Sequence, residues 1–439
     1  MLALRNNPDV ESAELQRVVD KFALVVAHHA FEPQFDLSGT VAYQRGSRPD
    51  YSIGPNVTLN TPLGTTVTAS YGNAFNGSTG TATVQIKQHL LKGAGWAYNT
   101  ATLGEAVVSE KVAQLSFKNS VITAVVNVIN AYRALVQDYN SFAIQKRTVL
   151  RAQQTVHQSE LQVKAGKIAP SDLLQQKANL ATTRLSMMQE KASLQNDYQQ
   201  FLQALGLVST AKVIIDKTLE FTEFKLPSLK KCIQLALENN INYQTALIQI
   251  RADKLNLISA KNQSRWTLDV TASTNVGQSA GGTNLPPSGS TQGQPGQVTA
   301  SGTGPSLGFT LDIPIDDVNA QQQVLNARVQ LEQAKVQLQQ TKEQLVSNVT
   351  NQVNQLKNQY EQIKVAIQAV ELQAQSLRDA QIKLRYGKST VFEVNQLQDQ
   401  LLQQQTSLIS DKIQFLNSIT TLNQTLGITL EKWGITLRY

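Results

Sequence analysis

Apolar residues recur at alternating steps of three and four along the last third of the chain. Val324, Leu331, Leu338 and Leu345 lie seven residues apart, with smaller residues between them. This heptad pattern is typical of a helix that packs along a partner helix as a coiled coil. After Leu345 the pattern takes an extra step of four, which locally unwinds a coiled coil. At about 1.5 Å per residue, the helix predicted over 317–385 would be roughly 100 Å long.

The chain contains two copies of one unit. Residues 2–7 recur with small changes at 235–240, and residues 205–207 recur at 426–428. Internal repeats decide how the rest of a sequence is interpreted. We therefore divide the chain into a first repeat over 1–206, a connector over 207–226, a second repeat over 227–428, and a C-terminal segment over 429–439.

Each repeat is predicted to contain a helix, two strands, a long helix and a shorter returning helix. In the first repeat the predicted helix covers 1–30, the strands 35–45 and 82–88, the long helix 97–165 and the short helix 171–205. In the second repeat the helix covers 226–264, the strands 266–276 and 306–313, the long helix 317–385 and the short helix 391–427. The two shorter helices of a repeat together match the long one, so we expect them to pack end to end along it. That arrangement would put the strands at one end of a rod and the glycine turns at the other.

The predicted strands alternate apolar and polar residues. Leu268, Val270 and Ala272, for example, are separated by Asp269 and Thr271. An additional hairpin over 55–72 is predicted in the first repeat only, which gives six strands of about nine residues, the length of a tilted membrane strand. No apolar run approaches the ~18 residues of a membrane-spanning helix. Because the smallest membrane barrels need roughly eight strands, the open edges are expected to pair with other copies of the chain.

Composition and motifs argue against several other functions. The net charge is +7, but no run of Lys and Arg exceeds two residues, so we expect a diffusely basic surface and no nucleic-acid partner. The single cysteine, Cys232, excludes an internal disulfide framework. Lys92, Gly93 and Gly95 lack the Gly-Lys-Ser/Thr ending of a phosphate-binding loop. The four histidines show no metal-ligand spacing, so no metal, cofactor or enzymatic activity is expected.

The sequence resembles the TolC-type outer-membrane efflux proteins. The features that carry the resemblance are the duplicated layout, the Asn-Asn helix starts, the strand that begins at Leu268, the turns at Gly166 and Gly387, and the Leu-Gly-Leu and Leu-Gly-Ile ends. The resemblance implies an α+β, mainly α fold. Very long coiled-coil helices would form a periplasmic tunnel, and amphipathic strands would contribute to a trimeric transmembrane β-barrel.

The same resemblance implies the function and the partners. The protein would be the outer-membrane exit duct of a tripartite efflux or type I secretion system, a passive conduit driven by an inner-membrane pump. Its partners would be two further copies of itself, a periplasmic adaptor that links it to the pump, and the lipid of the outer membrane of a Gram-negative bacterium. A signal peptide is expected upstream of this chain or removed from it.

A channel gate is expected near the second glycine turn. The family narrows its periplasmic mouth with acidic residues just past this turn, and Glu393 holds that position. Gln396 stands where many relatives carry a second acid. Asp172 is the equivalent of Glu393 in the first repeat, with Arg385 or Tyr386 as its potential donor. The alternative is that Asp172 and Glu393 only stabilise helix N-termini through the helix dipole.

Adaptor docking is expected at the tips of the helical turns. The resemblance places it at Gly166 and Lys167 in the first repeat and at Gly387 and Lys388 in the second. The alternative is that both glycines simply end a helix. For the whole protein, the competing interpretation is a structural coiled-coil scaffold without transport activity, which the heptads support but the alternating strands do not.

Overall fold

The structure is a computed structural model that describes residues 2–43, 50–74, 81–166, 168–216, 228–277, 304–386 and 388–437. Contacts between residues divide the chain into two compact units. Unit 1 comprises Met1–Leu15, Ser116–Gln244 and Lys342–Tyr439, and unit 2 comprises Gln16–Leu115 and Thr245–Thr341. Unit 1 is helical, whereas unit 2 contains the sheet.

The helices follow the predicted order with three differences. The opening helix of each repeat is broken in two, a short helix precedes the first long one, and another short helix follows the last returning one. The bounds are α1 Leu2–Asn6, α2 Pro8–His29, α3 Trp96–Asn99, α4 Ala101–Lys164, α5 Pro170–Ala204, α6 Leu229–Asn239, α7 Ile241–Gln263, α8 Val318–Arg385, α9 Val391–Thr425 and α10 Thr429–Lys432.

An asparagine breaks each opening helix. The Asn7 side-chain oxygen accepts a hydrogen bond from Asp9 N at 2.9 Å, and that of Asn240 accepts one from Tyr243 N at 3.1 Å. Asparagine is a preferred N-cap because its side chain satisfies a backbone N–H that the helix leaves unpaired. Both asparagines also donate to the last carbonyls of a returning helix, Ala204 O at 3.1 Å and Thr425 O at 2.9 Å. The two repeats therefore build the same junction from the same residue type.

A glycine permits the close approach at each of these junctions. Gly427 has φ +71°, and a Cβ atom there would lie 2.3 Å from Asn239 O. Gly206 has φ +70°, and its Cβ would lie 2.0 Å from Asn6 O. An L-residue would have to adopt a left-handed conformation and overlap a backbone atom, so glycine is required at both positions.

Gly427→Ala is expected to destabilise the protein by at least about 2 kcal/mol, because backbone strain and steric overlap add. Gly166→Ala is the matched control: its φ is +66°, but a Cβ there would meet nothing within 4 Å. The control should lose only the strain, about 1 kcal/mol. Denaturant unfolding followed by circular dichroism measures both. Equal losses in the two variants would show that the close approach at Gly427 contributes nothing.

The main core of unit 1 follows the heptads predicted for α8. Val349, Leu356 and Ile363 are fully buried and pack with Phe415 and Leu422 of α9. These α8 residues lie seven apart, so one face of the helix remains against its partner over several turns. The heptad pattern thus correctly predicts which face of α8 meets the returning helix.

The expectation that no helix could span a membrane needs one correction. Helix α4 contains a segment of 18 residues that is long and apolar enough by composition to cross a bilayer. The helix also contributes Val121, Ile122 and Val126 to a buried cluster in unit 1, together with Val10. Only 28% of the apolar segment is buried, so core packing within unit 1 accounts for part of the apolar character of α4.

Unit 2 contains one antiparallel sheet of six strands among the described residues. The strands are β1 Gln34–Ala42, β2 Asp50–Asn60, β3 Thr65–Ala74, β4 Thr81–His89, β5 Thr267–Gly277 and β6 Pro305–Asp312. They pair in sequence order, so β1 and β6 are the two edges. The additional hairpin, β2 and β3, lies inside the sheet between β1 and β4, and it is longer than the predicted 55–72.

The register of the sheet gives it one polar and one apolar face. Direct pairing across the strands aligns a polar row, Gln34, Thr58, Thr68, Gln85, Ser273 and Ser306. One residue along, pairing aligns an apolar row, Leu59, Val67, Ile86, Ala272 and Leu307. Because a slip of one residue would mix the faces, alternation in each strand fixes the register of its neighbours. The apolar face is largely exposed: Phe35 is 81% and Phe309 57% accessible.

Candidate functional site

The first glycine turn follows α4. Gly166 adopts φ +66°, and its N–H donates to Val163 O at 3.0 Å. A glycine in the left-handed conformation commonly ends a helix, because its N–H can donate to a carbonyl that the last turn leaves without a partner. Helix α5 then begins with Pro170, a residue that suits the first position of a helix.

The second turn follows α8. The Lys388 N–H donates to Lys383 O at 2.9 Å, a bond that crosses the turn as in a Schellman motif. Tyr386 is 77% accessible. Lys167, Gly387 and the side chain of Arg385, which were predicted to contribute to docking and to the gate, lie outside the described residues.

Glu393 is held at the start of α9. Thr390 caps the helix and accepts a hydrogen bond from Glu393 N at 3.1 Å, while the Glu393 carboxylate accepts one from Ser389 Oγ at 2.8 Å. Thr390 and Glu393 have the spacing of a capping box, in which both side chains satisfy groups at the helix start. Glu393 therefore stabilises the start of α9 through specific hydrogen bonds as well as through the helix dipole.

A cleft of about 1210 Å³ lies between the two turns in unit 1. It brings together three of the predicted gate residues, Asp172, Tyr386 and Gln396, but Glu393 does not line it. Most of the other lining side chains are amides and hydroxyls: Gln162, Gln175, Gln176, Asn179, Thr182, Ser389, Thr390, Asn395, Gln400 and Gln403. The cleft is thus a polar, weakly charged surface that can contact hydrated solutes.

Asp172 and Tyr386 line the same cleft. Within the described residues, no hydrogen bond joins the two side chains. The link between the two returning helices comes instead from Asn395, whose amide donates to Gln176 Oε1 at 3.0 Å. Gln176 is only 6% accessible, so this amide pair is protected from water and stabilises the contact between α5 and α9.

Asp399 is a cleft residue that the sequence analysis missed. It lies three residues after Gln396 on α9 and lines the same cleft as Asp172. Partial burial raises the pKa of the Asp399 carboxyl, because removal from water disfavours the charged form. Phe392 also lines the cleft, and Asp399 follows it by seven residues, which places both on the same face of α9. This spacing could have identified Asp399 from the sequence. Asp399 therefore places a second carboxyl group in the cleft that Asp172 lines.

These features define a class of protein. A sheet of strands with one continuous apolar face and one polar face is typical of the wall of a transmembrane β-barrel. The family model of the outer membrane efflux proteins matches residues 1–207 and 232–428. The chain therefore belongs to the outer membrane efflux protein family.

Solved structures show the same fold. The outer membrane protein VceC from Vibrio cholerae is 18% identical, with a TM-score of 0.72, over 97% of this chain and 94% of that one. The CmeC outer membrane channel of Campylobacter jejuni is 15% identical, with a TM-score of 0.69, over 98% and 84%. The MtrE outer membrane channel of Neisseria gonorrhoeae, in its open state, is 11% identical, with a TM-score of 0.70, over 98% and 88%. No curated protein sequence matches the chain significantly.

Family membership establishes location and general function. The protein is an outer-membrane channel that serves as an exit duct for efflux, with a helical part in the periplasm. Proteins of this family are trimeric components of tripartite efflux systems and are channels, not enzymes. Nothing supports the coiled-coil scaffold as an alternative.

Proposed function

We propose that three copies of this chain form one passive duct, closed in the membrane by a barrel of 18 strands. The observation that carries this proposal is the six-stranded sheet, whose edges β1 and β6 have no partner strand among the described residues. In a bilayer every backbone N–H and C=O must be paired, so such edges must meet those of another copy. Three copies of six strands give 18, and barrels of about this size enclose an aqueous channel.

Apolar stripes on the helices of unit 2 support contacts between copies. On α2, an exposed stripe with helical spacing comprises Val18, Val19, Phe22, Val25 and Val26, each between 56% and 67% accessible. On α8, Val318, Leu325, Val329 and Val336 are also exposed. Large exposed apolar surfaces mark interaction sites, and two different stripes allow the head-to-tail contacts that close a ring.

The two separate matches to the family model support the proposed duplication. One match covers 1–207 and the other 232–428, close to the repeats proposed over 1–206 and 227–428. The connector 207–226 then follows the first repeat, just as the C-terminal segment 429–439 follows the second. We infer that each copy of the chain supplies two similar sectors to the tunnel.

The periplasmic mouth is proposed to lie at the two turns. Glu393, Asp172 and Asp399 would give it acidic character, and Gln396 would add a neutral amide. The turns at Gly166, Lys167, Gly387 and Lys388 would dock a periplasmic adaptor and, through it, an inner-membrane pump. Tyr386 and Phe392 support docking there, because both are 77% accessible and large exposed apolar side chains mark interaction sites.

Two variants separate gating from helix capping. Glu393→Gln removes the charge but keeps an acceptor for Ser389, whereas Thr390→Ala removes the cap but keeps the charge. If Glu393 lines the conducting path, Glu393→Gln should raise single-channel conductance and lower the cation-to-anion permeability ratio about two- to fivefold, as expected for charges acting through water at roughly 0.5–1 kcal/mol each. Thr390→Ala should leave that ratio unchanged.

Planar lipid bilayers with the purified protein measure both quantities. Asp399→Asn is expected to act in the same direction as Glu393→Gln. If Glu393→Gln conducts like the unmodified protein, and Thr390→Ala alone lowers thermal stability, the role of Glu393 is limited to capping.

A further inference from the structure

A second pocket lies in unit 2, where the strands end and the helices begin. It has a volume of about 610 Å³ and is formed by the end of α2, the β2–β3 turn, the end of β4 with the loop that follows it, the start of α4, and the start of β5. We call it the junction pocket. Its size falls within the range of sites for small organic ligands, roughly 300–1,000 Å³.

The charged side chains of the junction pocket carry a net positive charge. Lys87, Lys92, His89 and Asp269 line it. Asp269 is 3% accessible, and its two oxygens are both engaged, one by His89 Nδ1 at 2.7 Å and the other by Lys87 Nζ at 2.9 Å. Two lysines and one aspartate leave one positive charge. The buried carboxylate also fixes the positions of Lys87 and His89 at the pocket wall.

Lys92 is the cation with no partner in the pocket. Among the residues that the structure describes, its ammonium group has no hydrogen bond or ion pair, and only its backbone N–H is engaged, by Trp266 O at 3.0 Å. Lys87 is 41% accessible and uses only one of the three N–H donors of its ammonium group in the bond to Asp269. Both lysines can therefore donate to a ligand.

Neutral donors complete the lining. Tyr98, Thr102 and Thr267, whose side chains carry hydroxyl groups, also line the pocket. Hydroxyl groups and lysine ammonium groups together are the donors that bind phosphate and related oxyanions in proteins. The turn that forms one wall belongs to the additional hairpin, and it packs closely on the loop after β4: a Cβ on Gly64 would lie 2.4 Å from Gly93 O.

We propose that the junction pocket binds a phosphate-type oxyanion through Lys92 and Lys87. The pocket opens on the polar face of the sheet, because Lys87, His89 and Asp269 lie in the same alternation as Gln85 and Ser273. If the sheet forms the wall of a duct, as proposed above, this face lines the lumen, and the ligand is the anionic group of a solute in transit. The placement in the lumen rests on the proposed function, but the binding of the oxyanion does not.

Binding is tested on the full-length protein, purified in a detergent that contains no phosphate. Isothermal titration with inorganic phosphate, with glycerol phosphate and with short-chain phosphatidylglycerol distinguishes a free ion, a soluble ester and a lipid headgroup as sources of the same chemistry. Lys92→Gln should weaken binding of the best of these at least about tenfold, since hydrogen bonds to charged groups contribute about 1.5–3 kcal/mol. Lys111→Gln, which removes an exposed charge outside the pocket, should bind as the unmodified protein does.

Binding of any of the three probes that depends on Lys92 supports the proposal and identifies the source. Absence of binding to all three, or equal affinity of Lys92→Gln and the unmodified protein, overturns it. Assembly state and conductance are measured on the same sample. A conducting trimer that binds no probe rejects only the junction pocket, whereas a protein that neither assembles nor conducts rejects the proposed function.

Discussion

Val84→Arg is expected to abolish assembly of the protein in the outer membrane. Val84 lies in the middle of β4 on the apolar face of the sheet, where it pairs with Ala69 and is 42% accessible. If this face meets lipid, an arginine near the bilayer centre costs about 2–4 kcal/mol in each copy, and three copies bear the cost together. The loss is then comparable with the whole stability of a typical protein.

The neighbouring residue supplies the control. Gln85→Arg introduces the same side chain one position along, on the polar face, and should assemble normally because that face is proposed to meet water. Heat-sensitive oligomers in isolated outer membranes, detected by electrophoresis without boiling, measure the outcome. If Gln85→Arg fails and Val84→Arg assembles, the assignment of the two faces is reversed.

Glu110→Gln is expected to lower the free energy of unfolding by about 3–5 kcal/mol. Within unit 2, both guanidinium nitrogens Nη1 and Nη2 of Arg17 on α2 donate to the Glu110 carboxylate on α4, and the two side chains are only 8% and 11% accessible. Glu110→Gln removes the carboxylate charge that the buried Arg17 guanidinium meets in this pair, and removal of one partner alone is the costly way to break a buried ion pair.

The double variant Arg17→Met, Glu110→Met tests the cause. It removes both charges and should recover most of the stability, because an apolar pair of similar volume often replaces a buried ion pair without loss. Hydrogen bonding to Arg17 lowers the pKa of Glu110, so the stabilisation is present above the ordinary carboxyl pKa and is lost as the pH falls through the lowered value. Denaturant unfolding at neutral and acidic pH measures both effects. A double variant as unstable as Glu110→Gln would contradict this explanation.

Periodicity predicted the long helices and the strands because both patterns are local. The heptad spacing of Leu356 and Ile363 predicts that both lie on the buried face of α8. The alternation of apolar and polar residues on either side of a turn predicts the β2–β3 hairpin. The position of that hairpin inside the sheet could not be predicted in this way, because it depends on which strands pair. Strand pairing is decided by residues far apart in the sequence. In the observed register all six strands share one apolar face, and this arrangement cannot be seen in the sequence of any single strand.

The break at Asn7 and the contacts near Glu393 show where local patterns were insufficient. An asparagine within a helical pattern does not by itself reveal that its amide meets the last carbonyls of another helix. The capping-box spacing of Thr390 and Glu393 was visible in the sequence, but the family resemblance drew attention to the charge of Glu393 alone. Asp399 was missed because the family pattern places the second acid one turn earlier, at the position of Gln396. The cleft extends further along α9, so Asp399 lines it as well.

A reconstruction of the full-length protein in lipid nanodiscs by electron cryomicroscopy tests the central claim most directly. We expect a threefold particle whose membrane barrel has 18 strands, with β1 of each copy paired to β6 of the next and with residues 50–74 in the wall. A monomer or dimer, or a trimeric barrel of 12 strands with residues 50–74 outside the wall, would contradict it.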